Sequence, residues 1–222
     1  ATFHRRTDIM PPVPTAAKHH PSALDKLLIK KLIADSKHNH LISFLTKELS
    51  SIDRNLASRL IEEMGDDFEP KMAIKELSDQ QIARMHQLFR EAKFKDITGE
   101  HLSPATEYNL RLGVMKELQP DLVATYQGGV GVYEGHPFIV EAAVSMGGRD
   151  VKPGITVYRF ANRIPLLFEG GSDVCTRTAL KKIDWNRYKI NQQQDIIGVF
   201  VSIVSTKIPF KGTGKEYIGD DV

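Results

Sequence analysis

The sequence predicts a small all-α domain followed by an α+β domain. Helical spacing of apolar residues dominates from residue 22 to about residue 100. Alternating and continuous apolar runs, which are typical of strands, dominate from residue 101 onward. A length of 222 residues fits two modest domains, each able to bury a core. We therefore expect a linker over 1–21, a helical domain over 22–100 and an α+β domain over 101–222.

The expected linker contains four prolines between Met10 and Pro21. Proline fixes its own φ and moves the preceding residue out of the helical region, which predicts an extended segment. The periodicity then becomes helical. The first two predicted helices have apolar faces made of Leu24, Leu27, Leu28 and Leu32, and of Leu41, Ile42, Leu45 and Leu49.

Two further helices carry terminal signals as well as apolar stripes. Gly65 stands where a third helix would need a C-cap, and Ser78 with Gln81 forms a capping box ahead of a fourth. Their predicted buried faces consist of Ile52, Leu56, Leu60, Ile61 and Met64, and of Ile82, Met85, Leu88, Phe89 and Ala92.

The second half is predicted to hold one leading helix and a β-β-α-β sheet with helices on one face. Ser103 and Pro104 resemble an N-cap and first-turn proline for the leading helix, which carries Tyr108, Leu112 and Met115. Strands are predicted over 136–146 and from 155 to about 168. A helix led by Asp173 follows, and then a strand over 196–204 that is apolar enough to be covered on both faces.

Composition sets limits on the function. With 41% hydrophobic and 26% charged residues the chain is neither disordered nor membrane-spanning in character. A net charge of +2 does not by itself indicate nucleic-acid binding. The single cysteine, Cys175, forms no internal disulfide or zinc site, which favours a reducing intracellular compartment.

Two segments carry a family resemblance. Tyr-Arg-Phe-Ala-Asn-Arg-Ile-Pro-Leu-Leu at 158–167 and Ser-Thr-Lys-Ile-Pro-Phe at 205–210 resemble the transducer domain of the B subunits of type IIB DNA topoisomerases, the archaeal and plant topoisomerase VI type. Residues 51–57 resemble the start of a helix in the family's helix-two-turn-helix domain, and residues 5–12 resemble the exit from its ATPase domain. The resemblance implies a fragment that lacks a GHKL ATPase domain before it and is truncated at its C-terminal end.

The resemblance also implies a function. The complete protein of this family binds ATP with Mg²⁺, mostly in the domain that is absent here, and forms a homodimer of B subunits on ATP binding. With an A subunit that cleaves DNA, the resulting heterotetramer passes one duplex through another. This fragment would relay the ATP state and hold no catalytic residue or metal ligand, and we expect the protein to act in the nucleus.

Lys207 is the residue to which the resemblance gives an ATP-binding role. In the family, the lysine of the Ser-Thr-Lys loop contacts the γ-phosphate, and an ammonium group is a compact charge suited to that contact. Spacing alone favours the alternative, a solvated lysine that protects the end of a strand. Arg159, Asn162 and Arg163 form a polar group nearby that has either a direct role or a position on the solvent face of a strand.

Trp185, Arg187 and Tyr188 are the candidate DNA-binding residues. Trp-Asn-Arg-Tyr at 185–188 resembles a Trp-Lys-x-Tyr motif of the family, with Asn186 in place of the lysine. Arg187 and neighbouring lysines could supply phosphate contacts instead. The alternative is that Trp185 and Tyr188 form a packed aromatic pair.

Two other functions stay open on the sequence. One is a nucleic-acid-binding module without nucleotide coupling, which a steep salt dependence and no nucleotide effect would indicate. The other is the transducer of a different GHKL ATPase, of the mismatch-repair or chaperone kind. The helical domain ahead of the transducer argues against that second alternative.

Overall fold

The computed structural model describes Asp8, Met10, residues 17–149 and residues 151–220. The chain divides into a helical unit up to Phe94 and an α+β unit from Lys95. Most of the predicted linker lies outside the described residues. Its last part packs on the helical unit, since His20 is only 4% exposed and the backbone N–H of Ser50 donates to the carbonyl of His19.

The helical unit contains four α-helices among the described residues. They are α1 (Lys26–Asp35), α2 (Leu41–Glu48), α3 (Arg54–Met64) and α4 (Asp79–Glu91). The predicted capping box of Ser78 and Gln81 is present at α4. Gly65 ends α3 with a φ of +117°, a value that glycine adopts without a steric cost. Both terminal predictions are therefore confirmed.

The core of the helical unit corrects the predicted face of the first helix. Asp25 caps α1 by accepting a hydrogen bond from Leu28 N. Leu24 therefore precedes the helix and is not part of its apolar face. Leu27 is 78% exposed, whereas Ile29 and Ile33, one turn apart, are buried. The core is continuous across α2, α3 and α4, with Phe44, Leu60, Met85 and Phe89 among its buried side chains.

The α+β unit is built on a mixed sheet. Its elements are α5 (Glu107–Leu118), β1 (Leu122–Gln127), β2 (Gly131–Tyr133), β3 (His136–Met146), β4 (Gly154–Ala161), β5 (Ile164–Pro165), α6 (Val174–Arg177) and β6 (Ile196–Ser205). The strands lie in the order β1, β3, β6, β4, β5, with β2 also paired to β3. β6 is antiparallel to β3 and parallel to β4. A small hairpin of β7 (Phe210–Lys211) and β8 (Tyr217–Ile218) follows.

Helical segments cover both faces of this sheet rather than the single face expected. On one face, Val114 of α5 packs with Val123, Ala143 and Phe200. On the other face, Ala179 and Trp185 pack on the opposite side of β6. The predicted α+β class is confirmed, as is a β6 strand covered on both faces.

Two predicted elements of the α+β unit differ in detail, and two strands, β1 and β2, were not predicted. The strand expected to run to about residue 168 turns back after Ala161, because Asn162 and Arg163 take positive φ values of 49° and 68° in a two-residue hairpin loop. α5 begins at Glu107 and not near Ser103, and its Tyr108, Leu112 and Met115 are exposed.

The later start of α5 has a definite cause in the side chain of Glu141. This carboxylate, on β3, is fully buried and accepts hydrogen bonds from the backbone N–H groups of Ala105 and Thr106, at 2.9 and 2.6 Å. These two hydrogen bonds hold Ala105 and Thr106 just ahead of the first turn of α5.

Candidate functional site

The Ser-Thr-Lys loop follows β6, in the middle of the sheet, and is fixed at its first residue. Ser205 is buried, and its hydroxyl donates to the carbonyl of Pro137 at 2.9 Å and accepts from the backbone N–H of Lys207 at 3.1 Å. The N–H of Ser205 donates to the side-chain oxygen of Asn162 at 3.0 Å. The loop backbone is thus held by two neighbouring strands.

The side chain of Lys207 projects from this fixed loop and is 62% exposed. Its Nζ lies 3.6 Å from a carboxylate oxygen of Glu134, in the turn between β2 and β3. Both residues stand at the rim of a largely apolar cavity of 380 Å³. Its other lining residues include Phe138, Val140, Val174, Ile203, Ile208 and Ile218. An ammonium group held in this way can reach an anion presented from outside the unit.

A buried ion pair links β4 to the start of α6. Arg159 on β4 and Asp173 at the start of α6 are 5% and 0% exposed, with Nη1 and Oδ2 at 3.1 Å. Arg159 also donates to the carbonyls of Leu166 and Phe168, at 3.1 and 2.9 Å. Asp173 accepts from the backbone N–H of Ile218 at 2.8 Å. Arg159 therefore has a structural position inside the unit, and does not lie on a solvent face.

Asp173 also governs the surroundings of Cys175. The carboxylate caps α6 by accepting from Cys175 N at 2.8 Å. Burial, reinforced by the charge of Asp173, raises the pKa of the Cys175 thiol to about 12. The thiol stays protonated at neutral pH, which makes it a packing residue and a poor nucleophile.

The candidate DNA-binding segment has a buried anchor and an exposed end. Trp185 is 4% exposed, and its indole N–H donates to the carbonyl of Ala179 at 2.7 Å. Tyr188 is 68% exposed, so the two rings do not form the packed pair considered as the alternative. Trp185 is not placed to touch DNA. For Arg187 and Tyr188, which are exposed, the DNA contact stays a prediction.

The exposed end of this segment is basic. Lys181, Lys182, Arg187 and Lys189 are all exposed around Tyr188. Trp185 packs against Ile197 and Val199 near the start of β6, whereas Lys207 follows its end. A ten-residue strand spans roughly 30 Å, so the basic segment and Lys207 lie near opposite ends of one rigid element.

The remaining candidates have modest roles. Asn162 is the hydrogen-bond acceptor for Ser205 described above, and Arg163 is exposed with Nη1 3.4 Å from the hydroxyl of Ser103.

Among the described residues, no three His, Cys, Asp or Glu side chains are grouped so that they could hold a metal ion. No described helix is both long enough and apolar enough to cross a bilayer.

Comparison with known proteins gives a consistent family. The family model for the topoisomerase VI B subunit transducer matches residues 98–222. The DNA topoisomerase 6 B subunit of Arabidopsis thaliana is 68% identical over 220 residues, which cover 99% of this chain and 33% of that protein. The same-named protein of Oryza sativa subsp. indica is 65% identical, with 99% and 32% covered. The type 2 DNA topoisomerase 6 B subunit of Saccharolobus islandicus (strain L.S.2.15 / Lassen #1) is 36% identical, with 98% and 41% covered.

The α+β unit, with its mixed sheet and the fixed loop after the central strand, is thus a transducer domain. The chain belongs to the topoisomerase VI B subunit family. It spans about a third of the length of the curated plant relatives that it matches.

Proposed function

We propose that this chain is the relay of an ATP-dependent type IIB DNA topoisomerase, within its B subunit. The supporting observation is Lys207, an exposed ammonium on a loop whose backbone is fixed to the central strands of a transducer domain. In this proposal Lys207 contacts the γ-phosphate of ATP. Among the described residues no three His, Cys, Asp or Glu side chains are grouped to hold a metal ion, and in this proposal the rest of the nucleotide site lies on other parts of the subunit.

The relay would work as a rigid-body movement. A γ-phosphate that binds Lys207 favours one position of the transducer, because it contacts the loop in that position only. β6 joins this loop to the basic segment near its other end, and the sheet would move as one piece. The proposed partners are an A subunit that cleaves DNA, a second B subunit and duplex DNA.

The proposed location is the nucleus, which imaging of the tagged protein would test.

Lys207→Ala in the complete subunit tests the proposal. A hydrogen bond to a charged group contributes about 1.5 to 3 kcal/mol, so we expect roughly ten- to a hundredfold weaker discrimination between ATP and ADP. ATP-dependent strand passage should fall sharply, while the melting temperature stays near that of the wild type because Lys207 is exposed. An alanine variant with normal discrimination and strand passage would contradict the assignment. A variant that unfolds would show that Lys207 is structural.

A separate experiment tests the DNA contact. In the variant Arg187→Glu/Lys189→Glu, two exposed positive charges of the basic segment are reversed, and affinity for duplex DNA and its dependence on salt should both decrease. Each phosphate contact that the variant removes should reduce the slope of log K against log salt by about 0.9. Arg90→Glu/Lys93→Glu, at the end of α4 in the helical unit, is the matched charge control. If both variants bind DNA equally, the basic segment does not contact DNA.

A further inference from the structure

The turn between β2 and β3 contacts the Ser-Thr-Lys loop with two side chains. Tyr133 pairs with His136, which leaves Glu134 and Gly135 as a two-residue turn with φ values of 47° and 74°. His136 Nδ1 lies 2.9 Å from Thr206 Oγ1, and the carboxylate of Glu134 lies 3.6 Å from Lys207 Nζ. A tight turn fixes the backbone of Glu134, which keeps its side chain within reach of the lysine.

We propose that Glu134 is an internal competitor for the γ-phosphate. It holds the ammonium of Lys207 when no triphosphate is present and is displaced when the phosphate binds. The inference rests on the proposed contact between Lys207 and ATP. It assigns to Glu134 a regulatory role at that site: setting how much nucleotide is needed to engage the loop.

The geometry suits a partner that can be displaced. The side chains of Lys207 and Glu134 are 62% and 35% exposed, so water screens their attraction and the pair is weak. A terminal phosphate offers more negative charge and more acceptor oxygens than one carboxylate. The Glu134 carboxylate and a γ-phosphate are both anionic, so they repel each other when both approach one ammonium, and this repulsion favours displacement of Glu134 over sharing of Lys207.

The competition has a measurable consequence for the affinity of the subunit for nucleotides. Glu134 stabilises only the form of the subunit without a γ-phosphate, so removing its charge should strengthen ATP binding and leave ADP binding unchanged. In Glu134→Gln, we expect the affinity for a non-hydrolysable ATP analogue to rise by roughly two- to fivefold. Calorimetric titration of the complete subunit with the analogue and with ADP measures both values. The gain should shrink at high salt, because the pair is already screened there.

Three further variants make the result interpretable. Glu117→Gln removes an exposed carboxylate of α5 and should change neither affinity. In Lys207→Ala/Glu134→Gln, the second substitution should give no gain over Lys207→Ala, because the lysine it would release is absent. If Lys207→Ala leaves analogue affinity unchanged, the proposed nucleotide contact itself is wrong. If Lys207→Ala weakens binding but Glu134→Gln binds the analogue no tighter than the wild type, Lys207 still contacts the nucleotide and the competitor role of Glu134 is overturned.

Discussion

Asp173→Ala is expected to lower the free energy of unfolding of the α+β unit by about 3 to 5 kcal/mol. The substitution leaves Arg159 buried at 5% exposure without its counter-ion, and burying an uncompensated charge is the main cost. It also removes the acceptor for the backbone N–H groups of Cys175 and Ile218. One side chain thus supports β4, the start of α6 and β8 at once.

The measurement is chemical denaturation followed by the fluorescence of Trp185, the single tryptophan, which is buried in the same unit. Asp184→Ala, which removes an exposed carboxylate, is the control and should shift the midpoint little. Arg159→Met/Asp173→Leu should recover only the part of the loss that comes from the uncompensated charge, since the N–H groups of Cys175 and Ile218 still lack their acceptor. If Asp173→Ala unfolds at the wild-type midpoint, the pair is not a stabilising element of this unit.

Local signals in the sequence predicted the helix ends and the central strand well. The capping box at Ser78 and the glycine at position 65 act within a few residues, so they are readable without tertiary contacts. β6 was recognisable because a strand covered on both faces is apolar throughout. The exposed Leu27 was misplaced because the apolar residues around it also fit a helix of a different phase.

The surroundings of Lys207 depend on tertiary pairing that sequence patterns do not contain. The position of Lys207 after the central strand was predictable, but its neighbour Glu134 is far away in sequence and reaches it only through the pairing of β3 with β6. Gly135 between two extended runs is a turn signal that could have located the turn, though not the contact of Glu134 with Lys207. Trp185, which was predicted as a DNA contact together with Arg187 and Tyr188, is itself a packing anchor because its indole finds an internal acceptor.

Glu141 was missed for a related reason. Along β3 the alternation puts Phe138, Val140 and Val144 on one face, yet the opposite face, with Ile139, Glu141, Ala143 and Ser145, is the more deeply buried one. A glutamate in an alternating strand usually marks solvent. Here its charge is met by two backbone N–H groups before α5, a tertiary contact that no local pattern contains.

Glu141→Ala is therefore expected to destabilise the α+β unit by about 2 to 4 kcal/mol. It removes two hydrogen bonds from backbone N–H groups to a charged group, which contribute about 1.5 to 3 kcal/mol each, and it also removes the cost of burying that charge. The groups concerned belong to Ala105 and Thr106, so the start of α5 should loosen first. Amide hydrogen exchange at these two residues, together with denaturation midpoints, measures both effects.

Glu141→Gln distinguishes the loss of one hydrogen bond from the loss of both. Its amide oxygen can accept from one N–H, but its amide nitrogen is a donor facing the other, so an intermediate loss is expected. Glu117→Ala, on the exposed side of α5, is the matched control and should be nearly neutral, since alanine favours helices. Should Glu141→Ala keep both the wild-type midpoint and slow exchange at Thr106, the buried carboxylate would not be what positions α5 on the sheet.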